Sequence, residues 1–126
     1  MIVDTHALLW LSERTSEVPA HARAVVDDER HEVFVSIVSA WELAIKVSLG
    51  KLVVEPTVQD FMQRALSSGR IRLLPISLEH VHCVQSLPRH HRDPFDRMLI
   101  AQAMVENASV VSADAAIDQY GVQRVW

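Results

Sequence analysis

Asp93 and Asp96 stand three residues apart in the stretch RHHRDPFDRMLIAQA, around Pro94 and behind a basic, histidine-rich run. Carboxylates carry general acid–base chemistry or the ligation of a hard metal ion. Asp4, Glu42 and Asp114 join Asp96 as candidates, because each falls at the end of a strand-like segment or in the first turns of a helix-like one. Two carboxylates ~4 Å apart repel by about 4 kcal/mol at an effective dielectric of ~20. A cluster of four therefore requires cations or protons. A divalent ion such as Mg²⁺ or Mn²⁺, which prefers oxygen ligands, resolves the conflict.

The elements that must position these acids are legible as alternating patterns. Strand-like segments rich in Val and Ile cover residues 1–4, 32–36, 71–76, 109–113 and 122–126. They are apolar nearly throughout, as expected of strands covered on both faces. Helical segments are expected at 5–12, 19–29, 38–49, 57–68, 78–86 and 94–107, with Gly50 a candidate C-cap and TVQD a capping-box-like start. Strands alternating with helices indicate an α/β fold with a mainly parallel five-stranded sheet and helices on both faces. In such units strand ends and helix starts share one edge of the sheet, where ligand sites lie. Asp4, Glu42, Asp96 and Asp114 belong to that edge, whereas Asp27, Asp28, Glu29 and Glu32 belong to the opposite one.

Each acid also has a purely structural explanation. Asp93 before Pro94 is a good N-cap with proline at the first helical position, and Asp96 then falls at N3. Asp4 suits the N-cap of the helix it precedes. Asp60 and Glu79 are first-turn acids that suit the helix dipole. The helix that begins at Pro94 is apolar nearly all round, which implies burial and a need for partners at Asp96.

Composition narrows the function classes. The 126 residues suit one domain spanning 1–126, and 49% hydrophobic content supplies a core. A net charge of −4 argues against a broad basic nucleic-acid surface. The N-terminus reads as a poor signal peptide, and no apolar run approaches the roughly 20 residues of a membrane span. With the single Cys83, a soluble cytoplasmic protein with no membrane partner is the expectation. Gly50, Gly69 and Gly121 are isolated, so no phosphate-cradling loop exists. His80, His82, His90 and His91 lack zinc-ligand spacing and read as core or loop histidines. Trp10, Trp41 and Trp126 read as core or interface anchors rather than base-stacking platforms.

Taken in order, IVDTHALLW, VSIVSAWELAIK, DPFDRMLIAQA and VVSADAAI make the whole chain resemble a PIN domain. More closely, it resembles the VapC-type ribonuclease toxins of toxin–antitoxin pairs. The resemblance implies a PIN-like three-layer α/β/α sandwich and metal-dependent hydrolysis of RNA. It maps the family's acids onto Asp4, Glu42, Asp96 and Asp114. Asp4, Asp96 and Asp114 would ligate Mg²⁺ or Mn²⁺, with Glu42 acting through water or orienting the attacking water. Thr5 matches the usual hydroxyl neighbour, Ser112 replaces the usual Thr, and His6 stands where relatives carry a small polar residue. Arg89, His90, His91, Arg92 and Arg97 flank Asp96 and Lys46 follows Glu42 by one helical turn; of these Arg92, Arg97 and Lys46 are the candidates for phosphate contact. The resemblance also implies a homodimer and a small antitoxin protein as partners.

Rival readings are distinguishable. A receiver-type phosphotransfer domain would need an acidic pair at the first strand and a Lys after the last; the first strand ends in DTH, and no Lys follows Lys51. An Asp-x-Asp phosphatase would need an acid where His6 stands. A PIN-fold RNA-binding or RNA-processing protein that is not a toxin is the nearest alternative.

Overall fold

The first strand, β1 (Ile2–Val3), lies at the centre of a five-stranded sheet in which every neighbouring pair runs parallel. The chain is described here by a computed structural model covering residues 1–13 and 16–126. β2 (Val33–Ser36) and β3 (Ile71–Leu74) extend the sheet on one side, and β4 (Val110–Val111) and β5 (Arg124–Val125) on the other. The order is β3-β2-β1-β4-β5. The strand count and parallel sense agree with expectation, although the outer strands are shorter than the segments read from the sequence.

Alternation along the strands builds two cores, one on each face. Ile2 and Val110 pack with Leu99, Ile100 and Leu87, beneath α5 (Leu78–Ser86) and α6 (Pro94–Val105). Val3, Val35 and Val111 point the other way. They pack with Leu8, Val26, Leu43 and Phe61 from α1 (Thr5–Glu13), α2 (Ala20–Asp27), α3 (Ile37–Ser48) and α4 (Val58–Ser67). Successive strand residues face opposite sides, so a wholly apolar strand demands a helical layer on each. The result is a three-layer α/β/α sandwich.

Local chemistry sets the helix ends. Thr57 accepts the Asp60 amide at 3.1 Å and starts α4. Gly50 follows α3 at φ 66°, a conformation that costs glycine little. Two expectations change. A 3₁₀ helix at Ala115–Tyr120, closed by Gly121 at φ 71°, was not legible; it is too short to show an apolar period. α6 is buried from Leu99 to Ala103, but Met104 and Val105 in its last turn are exposed.

At the N-terminal edge of the sheet, the Arg70 guanidinium donates to the carbonyls of Asp28 at 2.6 Å, His31 at 2.7 Å and Val26. Asp28 and Glu32 pair there with Arg30 and Arg72. That edge is occupied by structural contacts. The other edge carries the candidate chemistry.

Candidate active site

Strand register brings the site together. Val3 is matched with Val35 of β2 and Val111 of β4, so the residues that follow, Asp4, Ser36 and Ser112, come level at the C-terminal edge. The Asp4 amide still donates to the Val111 carbonyl at 3.1 Å, which ties this acid to the centre of the sheet. Ser36 accepts the Val38 amide at 3.0 Å and launches α3 from the same edge. Glu42, in the second turn of α3, is thereby buried against the start of α1.

Both oxygens of Glu42 are occupied. Thr5 Oγ1 donates to Oε2 at 2.5 Å, and Lys46 Nζ pairs with Oε1 at 2.5 Å one helical turn further on. Asp4 caps α1 through Oδ1, which accepts the Ala7 amide at 2.6 Å. Capping therefore does not compete with a role at the site; it aims the carboxylate. Burial pushes the Asp4 carboxyl up from the ordinary range and nearby Glu42 adds to the rise, against hydrogen bonds from Ser112 and Ala7 and the charge of His6.

Asp93 is the N-cap of α6, accepting the amides of Phe95 at 2.7 Å and Asp96 at 3.4 Å, with Pro94 in the first turn. Asp96 is thereby set at the rim of a small cavity lined also by Asp4, Thr5, His6, Val38, Glu42, Phe95 and Leu99. Its carboxyl is pushed up to about 6, first by partial burial and then by Asp93, Glu42 and Asp114, with His91 opposing. Three of the four acids thus share one cavity, and the Glu42 charge raises the carboxyls of both Asp4 and Asp96.

Asp114 lies outside that lining and is about half exposed. Its amide donates to Ser112 Oγ at 3.0 Å, and its Oδ1 accepts the Ala116 amide at 2.9 Å to start the 3₁₀ helix. His91 Nε2 lies 2.6 Å from Oδ2. Burial raises the Asp114 carboxyl, but the His91 and Ala116 hydrogen bonds and the charges of His91 and Arg124 outweigh it and leave it below the ordinary range. Buried Ser112 lies between two acids, bonded to the Asp4 carboxylate and to the Asp114 amide. Among the described residues, no three Asp, Glu, His or Cys side chains are gathered closely enough to hold an ion as they stand.

The basic residues divide. Lys46 is engaged with Glu42 at the site, and Arg92 is exposed on the loop before α6. Arg97 turns inward instead: its guanidinium donates to the carbonyls of Pro88 at 2.8 Å, Val84 and Leu87 at 3.1 Å, and His91 at 3.4 Å. Its donors hold the loop rather than facing outward. His80 is a buried structural histidine, completing a capping box with Ser77 and reaching Glu106 at 2.9 Å. Trp41 is 57% exposed and meets Phe95 edge-on at 5.0 Å, beside the cavity. Tyr120 is a site neighbour that sequence reasoning missed, and His91, expected only as a histidine of the loop flanking Asp96, meets both Tyr120 and Asp114. Nothing in the sequence signals their contacts, because His91 lies 29 residues from Tyr120 and 23 from Asp114. A larger cleft of about 1120 Å³, lined in part by Arg23, Asp27, Glu55 and Arg64, contains none of the four acids.

Residues 1–123 match the family model described as "PIN domain". The chain belongs to the PIN-domain family. Among relatives of this PIN domain, Ribonuclease VapC16 of Mycobacterium tuberculosis (strain ATCC 25618 / H37Rv) is 42% identical over 64 residues. That stretch covers 48% of this chain and 41% of the relative, less than half of either. Among solved structures, VapBC2 from Rickettsia felis, bound to a promoter DNA fragment, superposes with a TM-score of 0.73 at 14% identity. The match covers 98% of this PIN domain and 96% of that chain. FitAcB from Neisseria gonorrhoeae gives a TM-score of 0.67 at 17% identity, over 99% of this chain and 96% of that one. At these identities the likeness is one of fold, and it agrees with the α/β/α sandwich expected from the sequence.

Proposed function

We propose that this PIN domain is a Mg²⁺- or Mn²⁺-dependent endoribonuclease, acting as the toxin of a toxin–antitoxin pair and neutralised by a small antitoxin protein. One observation carries the reading: Asp4, Glu42 and Asp96 line a single cavity at the C-terminal edge of the sheet. The Asp96 carboxyl is raised first by burial and then by Asp93, with Glu42 and Asp114 adding to the rise, and a bound cation would offset that repulsion. The donors are all hard oxygens, which suits Mg²⁺ or Mn²⁺ rather than zinc. Their chemistry fits the ion; bringing three of them to one point would require side-chain rotation. Asp4, Asp96 and Asp114 would hold the metal.

When bound, such an ion polarises a phosphate and lowers the pKa of an attacking water. The chain's own residues supply the rest. Glu42, held by Thr5 and Lys46, would orient the water. Lys46 and Arg92 supply positive charge for the RNA backbone, while Arg97 fixes the loop that carries Arg92. The toxin role rests on Ribonuclease VapC16 as a relative in sequence and on VapBC2 and FitAcB as relatives in fold. A homodimer working in the cytoplasm completes the reading.

Purified protein should cleave RNA with Mg²⁺ or Mn²⁺, stop with EDTA, and lose activity in Asp96→Asn. Equal cleavage in EDTA, or full activity in Asp96→Asn, would overturn the assignment. An upstream partner whose co-expression relieves toxicity would support the toxin role, and harmless overexpression of the active chain would exclude it.

A further inference from the structure

Tyr120, His91 and Asp114 form a hydrogen-bonded chain of which the four-acid scheme uses only Asp114. The Tyr120 hydroxyl accepts the His91 backbone N–H at 2.8 Å. A backbone amide can only donate, so this bond occupies a lone pair of the phenol oxygen and leaves its single proton free. In the neutral imidazole, His91 Nδ1, 3.1 Å from the same oxygen, is the acceptor available to that proton. With Nδ1 accepting, Nε2 is the nitrogen that carries hydrogen, and it meets Asp114 Oδ2 at 2.6 Å. The rings support the order. Tyr120 and the His91 side chain are each only 9% exposed, and His90 packs edge-on against Tyr120 at 4.9 Å. From the other side, Arg97 grips the loop through the carbonyls of Pro88 and His91.

We infer that His91 is a positioning residue for the metal site: Tyr120 sets its tautomer, and its Nε2–H orients the Asp114 carboxylate toward a divalent cation. This rests on the reading of Asp114 as a ligand. It adds a reason for the geometry. Asp114 is half exposed at the N-cap of a short 3₁₀ helix, its Oδ1 held by the Ala116 amide and its Oδ2 met by His91. Of the four acids, Asp96 stands nearest this loop in the chain, in the first turn of α6 and five residues after His91. One histidine on that loop therefore links the β4 acid to the helix that carries Asp96. Hydrogen-bond partners of metal-ligating carboxylates fix ligand orientation, and losing one weakens metal binding by roughly 10–100-fold.

The test uses two readouts on the full chain. In metal-free protein, ¹⁵N–¹H correlation spectra of labelled histidine should show His91 as the Nε2–H tautomer, and Tyr120→Phe should abolish that preference. Calorimetric titration with Mn²⁺ should show His91→Leu binding about 10–100-fold more weakly. His91→Gln, whose side-chain amide still offers a donor to Asp114, should retain most of the affinity. Circular dichroism checks that each variant folds; if His91→Leu does not, the Gln and Phe variants carry the test. An Nδ1–H tautomer in the wild type overturns the inference. So does unchanged Mn²⁺ affinity in His91→Leu when Asp114→Asn has lost it. If Asp114→Asn also binds Mn²⁺ normally, the assignment of Asp114 as a ligand falls, and the relay's role at the metal falls with it.

Discussion

Thr5 Oγ1 lies 2.5 Å from Glu42 Oε2, although 37 residues separate them in the chain. The contact joins the first turn of α1 to the second turn of α3 and holds a buried carboxylate in place. A buried acceptor that loses its donor keeps its desolvation cost, about 1–3 kcal/mol. Thr5→Val, which keeps the shape and removes the hydroxyl, should lower stability by about that amount in urea unfolding. It should also reduce RNA cleavage. Thr5→Ser should restore most of both. A Val variant as stable and active as the wild type would mean that the bond does not hold Glu42.

Asp96 predicts a pH-dependent stability. Its folded-state carboxyl is pushed up to about 6 from an ordinary 3.8. The folded protein therefore holds this proton more tightly than the unfolded chain does. Unfolding releases it between roughly pH 4 and 6, so metal-free stability falls as pH rises through that window. An unscreened shift of this size would correspond to about 3 kcal/mol; solvent at the exposed rim reduces it to about 1 kcal/mol. In EDTA, Asp96→Asn should be more stable than wild type by about that amount at pH 7, with the gap closing below about pH 4. Chemical unfolding across pH measures the difference, and a constant gap would refute it.

Arg97 predicts a split between lysine and arginine. Its guanidinium serves four carbonyls at once. An ammonium cannot reproduce that fork. Arg97→Lys should cost about 2 kcal/mol in stability. Hydrogen exchange should quicken across the loop before α6, with little change in the β1–β2 ladder. A uniform effect, or none, would show that the loop holds itself.

Metal should stabilise the fold. A ligand present at about 100 times its dissociation constant adds roughly 2.7 kcal/mol. Mn²⁺ should therefore raise the melting temperature of the wild type, EDTA should reverse the rise, and Asp4→Asn should not respond. An Asp4→Asn variant stabilised as strongly as the wild type would remove Asp4 from the metal shell.

The sequence by itself determined the class of fold and the candidate acids. Val- and Ile-rich segments between helical ones can be satisfied only by a sheet covered on both faces, and strand ends such as Asp4 and helix starts such as Asp96 then share one edge. Asp93 as an N-cap before Pro94 was legible because capping is a local affair. Tertiary structure decided the rest. It put β1 at the sheet's centre and brought Asp4 level with Ser36 and Ser112. It turned Arg97 inward to carbonyls and set His91 between Tyr120 and Asp114. Such partners lie tens of residues apart. A pattern of apolar spacing records which face a residue occupies, and not which distant side chain it meets there.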